Sequence, residues 1–336
     1  MRKFTTKLLL CCLLVCSLFV SQPETAKADT INGIQPILPV QYQKLLGKGM
    51  DVDWSKTKKG QETFHKTIVK DFKNAGINHV RIRVKDNVSQ DLFYHLDEQI
   101  RACLEAGIIP IIAYQANGFK NSASDEDMDK VVEWWSAVAE HYKNESYLLS
   151  FDMMIECTDA LNKQPDKLNE LYEKVVTAIR QTNPTHILMM SPRVRSDAQY
   201  LSELKVPTQA NGYMMAEWHF YASGPSKENE RKLWTTGTEK EKNLIRNKIQ
   251  LALEWQKKTG IPTWVGAWMA GNYNDGDDYS VKEQVIFAHF MVSELKKAGI
   301  PFAVNADTHF YDRENKTWIK KCCHCVIAFF LLMDRL

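Results

Sequence analysis

Apolar residues along this chain switch repeatedly between two periods. Phe64, Ile68 and Phe72 recur at helical spacing and stop at Asn74-Ala75-Gly76, and His79 to Val84 then alternates with period two. Leu92, Leu96, Ile100 and Leu104 share one helix face ending at Gly107, and Ile108 to Tyr114 is a continuous apolar run, as expected of a parallel strand covered on both faces. The alternation continues. Met128–Tyr142, Leu168–Ile179, Lys242–Lys257 and Val281–Leu295 read as helices, and Leu201 falls in a short one. Gly49–Val52, Leu148–Ile155, His186–Met190, Tyr213–Tyr221, Pro262–Gly266 and Pro301–Asn305 read as strands. Eight strands therefore alternate with helices, with no clear helix after the last and no Gly-rich nucleotide turn. That order predicts a parallel sheet closed into a (β/α)8 TIM barrel, one domain over residues 45–319, with 29–44 as a lead-in.

Composition narrows the function classes. A 44% hydrophobic, 25% charged chain is globular rather than disordered, and 15 Gly and 11 Pro exclude collagen-like or low-complexity readings. With 43 basic and 41 acidic residues, no nucleic-acid partner is expected. Residues 1–28 read as a secretory signal: Arg2, Lys3 and Lys7, an apolar run from Leu8 to Val20, then Ala26-Lys27-Ala28 as the cleavage motif. That run is too short for a membrane span, so a secreted, monomeric protein is expected. Beyond the signal, Cys103, Cys157, Cys322, Cys323 and Cys325 are odd in number, which leaves at least one unpaired. Cys322-Cys323-His324-Cys325 lacks the second half of a metal site, and Asn274–Asp278 lacks the spacing of a calcium loop. No metal or other cofactor is expected. Residues 320–336 form an atypical, largely apolar tail.

Chemistry in such barrels sits at the C-terminal ends of the strands. Strand two brings Arg81 and Arg83 to one face, strand three ends at Gln115, and strand four runs into Glu156. Period two puts Glu217, His219 and Tyr221 together on strand six, and strand eight runs into Asn305 and Asp307. Trp54 and Trp268 follow strands one and seven and are candidate sugar platforms, whereas the helical Trp134, Trp135 and Trp255 are expected in the core. Carboxyl groups beside aromatic rings suit glycosidic chemistry on a polysaccharide or oligosaccharide.

At these residues the chain resembles glycoside hydrolase family 5, the cellulase-like (β/α)8 retaining glycosidases. Gly76-Ile77-Asn78-His79-Val80-Arg81-Ile82-Arg83-Val84 is similar to the family's second strand, whose Arg orients the nucleophile. Ala106-Gly107-Ile108 resembles the start of the third strand, and Phe151 to Glu156 lies where the family has Asn-Glu-Pro, its Glu being the acid/base. His219-Phe220-Tyr221 matches the sixth-strand His-x-Tyr, and Gly260 to Gly266 resembles the approach to the nucleophilic Glu. The departures are Ala267 at the nucleophile position, Ile155 for the Asn, Cys157 for the Pro and Gln115 for the third-strand His. The last-strand Trp has no counterpart.

The resemblance implies cleavage of a β-linked glycan, with Glu156 as general acid/base; by their places at the strand ends, Arg81, Arg83, Gln115, Trp54, Trp268 and Asn305 are expected to bind substrate. Ala267 cannot be a nucleophile, which leaves three readings. Hydrolysis proceeds with a relocated second carboxylate, Glu217 or Asp307; or the barrel binds sugar without cleaving it; or a uronate polysaccharide is cleaved by elimination, with Tyr221 or His219 as base.

Overall fold

The computed structural model describes residues 35–222, 233–271 and 279–319. The expected signal segment, the tail with its cysteine cluster and the Asn274–Asp278 stretch lie outside these residues. Eight parallel strands close into a barrel in chain order: β1 Lys48–Ser55, β2 His79–Val84, β3 Ile109–Tyr114, β4 Ser150–Asp152, β5 Leu188–Met190, β6 Met214–Tyr221, β7 Thr263–Met269 and β8 Phe302–Asn305. The last strand pairs with the first, Asn305 opposite Asp51. The TIM barrel expected from the alternating periods is the fold.

Helices α1 Pro39–Leu46, α2 Lys58–Glu62, α3 Lys66–Asn74, α4 Gln90–Glu105, α5 Asn117–Ser122, α6 Asp125–His141 and α7 Pro165–Arg180 are followed by Glu239–Thr259 and Val281–Ala298. Local chemistry sets the ends of these last two. Thr238 with Glu241 and Ser280 with Glu283 form reciprocal caps, and Gly260 and Gly299 close the helices at φ 74° and 67°. Among the described residues no α-helix follows β8. A 3-10 turn at Asp307–His309 leads instead to a hairpin of Tyr311–Asp312 with Thr317–Trp318, whose Trp318 stacks on Phe72. Strands β4 and β5 are shorter than their expected runs: the chain leaves the ladder beyond Asp152 in β4, and in β5 it joins the ladder only at Leu188.

Period two sorts the strand residues. Met50, Val52, Trp54, Val80, Ile82, Val84, Phe151 and Leu188 face outward into the core beneath the helices. Inside the barrel, the lower layer is apolar: Ile109, Ile111, Ile187, Met189, Met215, Trp264 and Ala303 pack with Tyr42 and Leu46 of α1. The lead-in thus includes a plug. α1 closes the bottom, with Tyr42 Oη donating to the Leu148 carbonyl at 2.7 Å and Gln43 Nε2 to that of Thr263 at 2.7 Å.

Two buried histidines make the scaffold acid-sensitive. His79, bonded through Nδ1 to the Leu46 carbonyl, and His186 are both buried, and burial pushes each imidazole down to about 4 from 6.5. A base whose folded pKa is depressed stabilises the fold fully above its unfolded pKa, and the contribution is lost as pH falls below that value. The expected result is a stability loss between pH 6.5 and about 4, worth up to roughly 3 kcal/mol per histidine. Urea midpoints across this range that stay flat would contradict it.

Candidate active site

The middle and upper layers of the bore are charged. Arg81 of β2 is the centre. Its Nε and Nη2 grip Asp51 of β1 at 2.9 and 3.1 Å, and its Nη1 donates to Asp152 of β4 at 3.2 Å and also to Glu217 of β6. A planar guanidinium suits this, since one face of the fork takes a carboxylate bidentately while the remaining donors stay free. Glu217 fills the volume where a Cβ at position 266 would stand, so β7 carries Gly266 there. Above Glu217, His219 bonds Glu217 Oε1 through Nε2 and Glu156 Oε1 through Nδ1, the latter at 2.9 Å. The β6–β7 register shifts just before His219, bringing it opposite Ala267.

The mouth lies above this column. Glu156 follows β4 in a left-handed conformation, φ 52°, and its side chain keeps 19% of its surface open. Arg195, from the turn after β5, meets its other oxygen at 3.2 Å. Val194, Arg195 and Ser196 are also left-handed, at φ 57°, 55° and 60°. Three consecutive residues in that region are uncommon away from glycine. Lys120 of α5 is buried alongside, donating to the Ile155 carbonyl at 2.9 Å and to Gln115 at 3.4 Å. Across the mouth, Arg83 of β2 contacts Asp51 at 3.0 Å, Asp53 at 2.5 Å and Asn305 at 3.1 Å, and Asn305 donates to the Tyr221 hydroxyl.

These contacts fix the charges. Burial alone would push the Glu156 carboxyl up, but the His219 hydrogen bond and the charges of His219, Arg195 and Lys120 outweigh it and hold it at about 2. Burial would likewise neutralise His219, yet the neighbouring Glu217 and Glu156 keep its imidazolium favoured. Asp152 moves the other way: burial and the charge of Glu217 raise its carboxyl well above the usual range. Burial lowers the Lys120 ammonium to about 8 and raises the Tyr221 phenol well above 10.

Most of the expected site residues meet here, and three do not. Glu156, Glu217, His219, Tyr221, Arg81, Arg83, Gln115 and Asn305 all belong to the bore or its mouth. Trp54 and Trp268 have no exposed surface. They lie within β1 and β7 and point outward, Trp54 onto Phe64 and Phe72, Trp268 onto Phe287 and Phe302. A ring buried on every side offers no platform to a sugar, so both are core residues. Asp307 is also fully buried, accepting from the Asp53 amide at 3.0 Å and Trp54 Nε1 at 3.1 Å, with burial raising it to about 6. It ties the end of β8 to β1 and is not open to substrate. Glu217 has no exposed surface either, and His219 lies between it and the mouth. Asp51, Asp53, Asp152, Lys120 and Arg195 were missed. Counting back by twos from Glu156 reaches Asp152, whereas no local signal singles out Asp51 and Asp53 on β1, Lys120 or Arg195.

A family model described as cellulase, glycosyl hydrolase family 5, matches residues 40–306. The chain belongs to this family. Its family 5 relatives are distant: Endoglucanase H of Acetivibrio thermocellus is 21% identical over 262 residues, 74% of this chain and 28% of that protein. A β-xylosidase of Phanerodontia chrysosporium is 21% identical over 221 residues, 58% of this chain and 45% of its own length. The chain thus spans less than half the length of either. Among solved structures, the endoglucanase Cel5A of Thermotoga maritima superposes with a TM-score of 0.74 at 20% identity, covering 89% of this chain and 100% of that one. Cellulose synthase subunit Z of Clostridioides difficile gives 0.72 at 18% identity, covering 85% and 99%. At such identities the likeness carries the family 5 fold and no further. No helix among the described residues is long and apolar enough to cross a membrane.

Proposed function

We propose that the chain hydrolyses O-glycosidic bonds of a β-linked polysaccharide, with Glu156 as the acid/base that touches the scissile bond. The observation that carries this reading is the setting of Glu156: a carboxylate in the turn after β4, partly open to the mouth and fixed on either side by His219 and Arg195. Family 5 membership and relatives named as endoglucanases support the substrate class. At rest Glu156 is ionised and ready to accept a proton. To donate one, it first takes the Nδ1 proton of His219 along their 2.9 Å bond. Position 267 carries a methyl group, so no covalent glycosyl intermediate forms there and water attacks the sugar. With Glu217 and Asp307 both fully buried, Asp53 of β1, bonded to Arg83, takes their place as the second carboxylate in this reading and accepts the proton that the attacking water loses. Export through the N-terminal 28 residues belongs to the same proposal.

A second reading, glycan binding without cleavage, is favoured by Ala267 and by the ionised state of Glu156. Elimination is disfavoured, since its candidate bases are a charged His219 and a Tyr221 phenol held well above 10. Product analysis over a polysaccharide panel separates the three. New reducing ends, without ultraviolet-absorbing products and absent in Glu156→Gln and Asp53→Asn, are expected. Tight binding with no reducing ends would replace hydrolysis by binding, and unsaturated products would replace it by elimination.

A further inference from the structure

Three carboxyls converge on one guanidinium in the bore, and their surroundings fix how many protons they hold. Asp152 Oδ2 and Glu217 Oε1 accept from the same nitrogen, Arg81 Nη1. Two ionised carboxylates drawn to one nitrogen have no hydrogen to share between them. Their remaining oxygens, Asp152 Oδ1 and Glu217 Oε2, are buried with no hydrogen-bond partner. Two carboxylates held on one nitrogen in a bore closed to water repel each other, and a single proton between them removes that repulsion.

We propose that Asp152 and Glu217 share one proton, and that this pair are positioning residues which hold His219 charged and ready to load Glu156. The second half rests on the reading of Glu156 as the working acid/base. In the loading step the His219 Nδ1–H bond breaks and a Glu156 Oε1–H bond forms. Imidazolium and carboxylate become imidazole and carboxylic acid, with no net change of charge. Once Glu156 has given its proton to the leaving glycosidic oxygen, solvent at the mouth returns one proton to the Glu156–His219 pair. The groups facing His219 are Glu217 and Tyr221 of β6, Arg81 of β2 and Glu156 after β4; those facing Glu156 are His219, Arg195 and Lys120.

Infrared spectra of the folded protein at pH 8, where Asp307 is ionised, test the shared proton directly. A buried carboxylic-acid carbonyl band is expected in the wild type and in Glu156→Gln, and its loss is expected in Asp152→Asn, which keeps a donor toward Glu217. No such band in the wild type, or one that survives Asp152→Asn, would overturn the pair. Nitrogen-15 spectra of the imidazoles test its effect. Glu217→Gln should shift His219 toward the neutral form and lower kcat about tenfold or more with KM little changed, whereas Asp152→Asn should leave His219 charged. A His219 that stays charged in Glu217→Gln would overturn the positioning role. The spectra do not depend on activity, so failure of Glu156→Gln to affect cleavage would sink the functional reading while leaving the shared proton to be judged by its own band.

Discussion

Glu156→Gln is expected to cut glycan hydrolysis by about 10²–10⁴-fold, the usual contribution of a positioned proton-transfer group. The amide keeps the shape of the carboxyl and can still accept from His219 or Arg195, so affinity for a substrate oligosaccharide should change little. The loss should therefore fall on kcat rather than KM. Glu156→Asp keeps the charge but withdraws it by one methylene, and should lie between the two. Reducing-end release with parallel calorimetric binding measures both quantities. A Glu156→Gln protein that hydrolyses at the wild-type rate would remove Glu156 from the chemistry.

The second large effect concerns folding. Arg81→Met should destabilise the barrel by roughly 3–5 kcal/mol, because it strips a shared guanidinium from three buried carboxyls, and the contacts of Arg83 with Asp51 and of His219 with Glu217 cannot replace it. Asp51 loses a bidentate grip, and Asp152 and Glu217 lose the nitrogen they share. Since a domain is typically stable by only about 5–15 kcal/mol, much of the fold's margin would go. Arg81→Lys should recover little, as one ammonium cannot satisfy Asp51 at two points while reaching Asp152 and Glu217. Urea unfolding of the purified variants gives the comparison. A midpoint for Arg81→Met close to that of the wild type would show that the bore tolerates its carboxyls without the guanidinium.

The fold was legible because each strand and helix announces its own period. β2 coincides with His79–Val84 as the alternation predicts, and the two late helices begin and end at cap residues readable in the sequence. β4 was overestimated because the apolar run of Met153, Met154 and Ile155 looks like strand, yet it is the lead into a left-handed turn. Parity also explains the errors at the site. Trp54 lies an odd number of residues from Asp51 and so points away from the bore with Met50 and Val52; a count along β1 was enough to exclude it. Asp51 and Asp152 passed unnoticed because isolated aspartates on strands carry no motif. Arg195 and Lys120 were beyond sequence reasoning, since a turn after β5 and a short helix after β3 bring them to Glu156 only through tertiary packing.

The left-handed backbone at Glu156 and through Val194, Arg195 and Ser196 sets two selective pressures against each other. Each such residue holds a conformation that glycine adopts freely and other side chains resist, at about 1–3 kcal/mol in sparsely populated regions. Sequence changes that relieve this cost would raise thermal tolerance, and at 156 and 195 they would delete the carboxylate and guanidinium that define the mouth. Stabilising this barrel by consensus or directed selection therefore has to be steered away from its upper rim, because the gains easiest to find there are those that erase its chemistry.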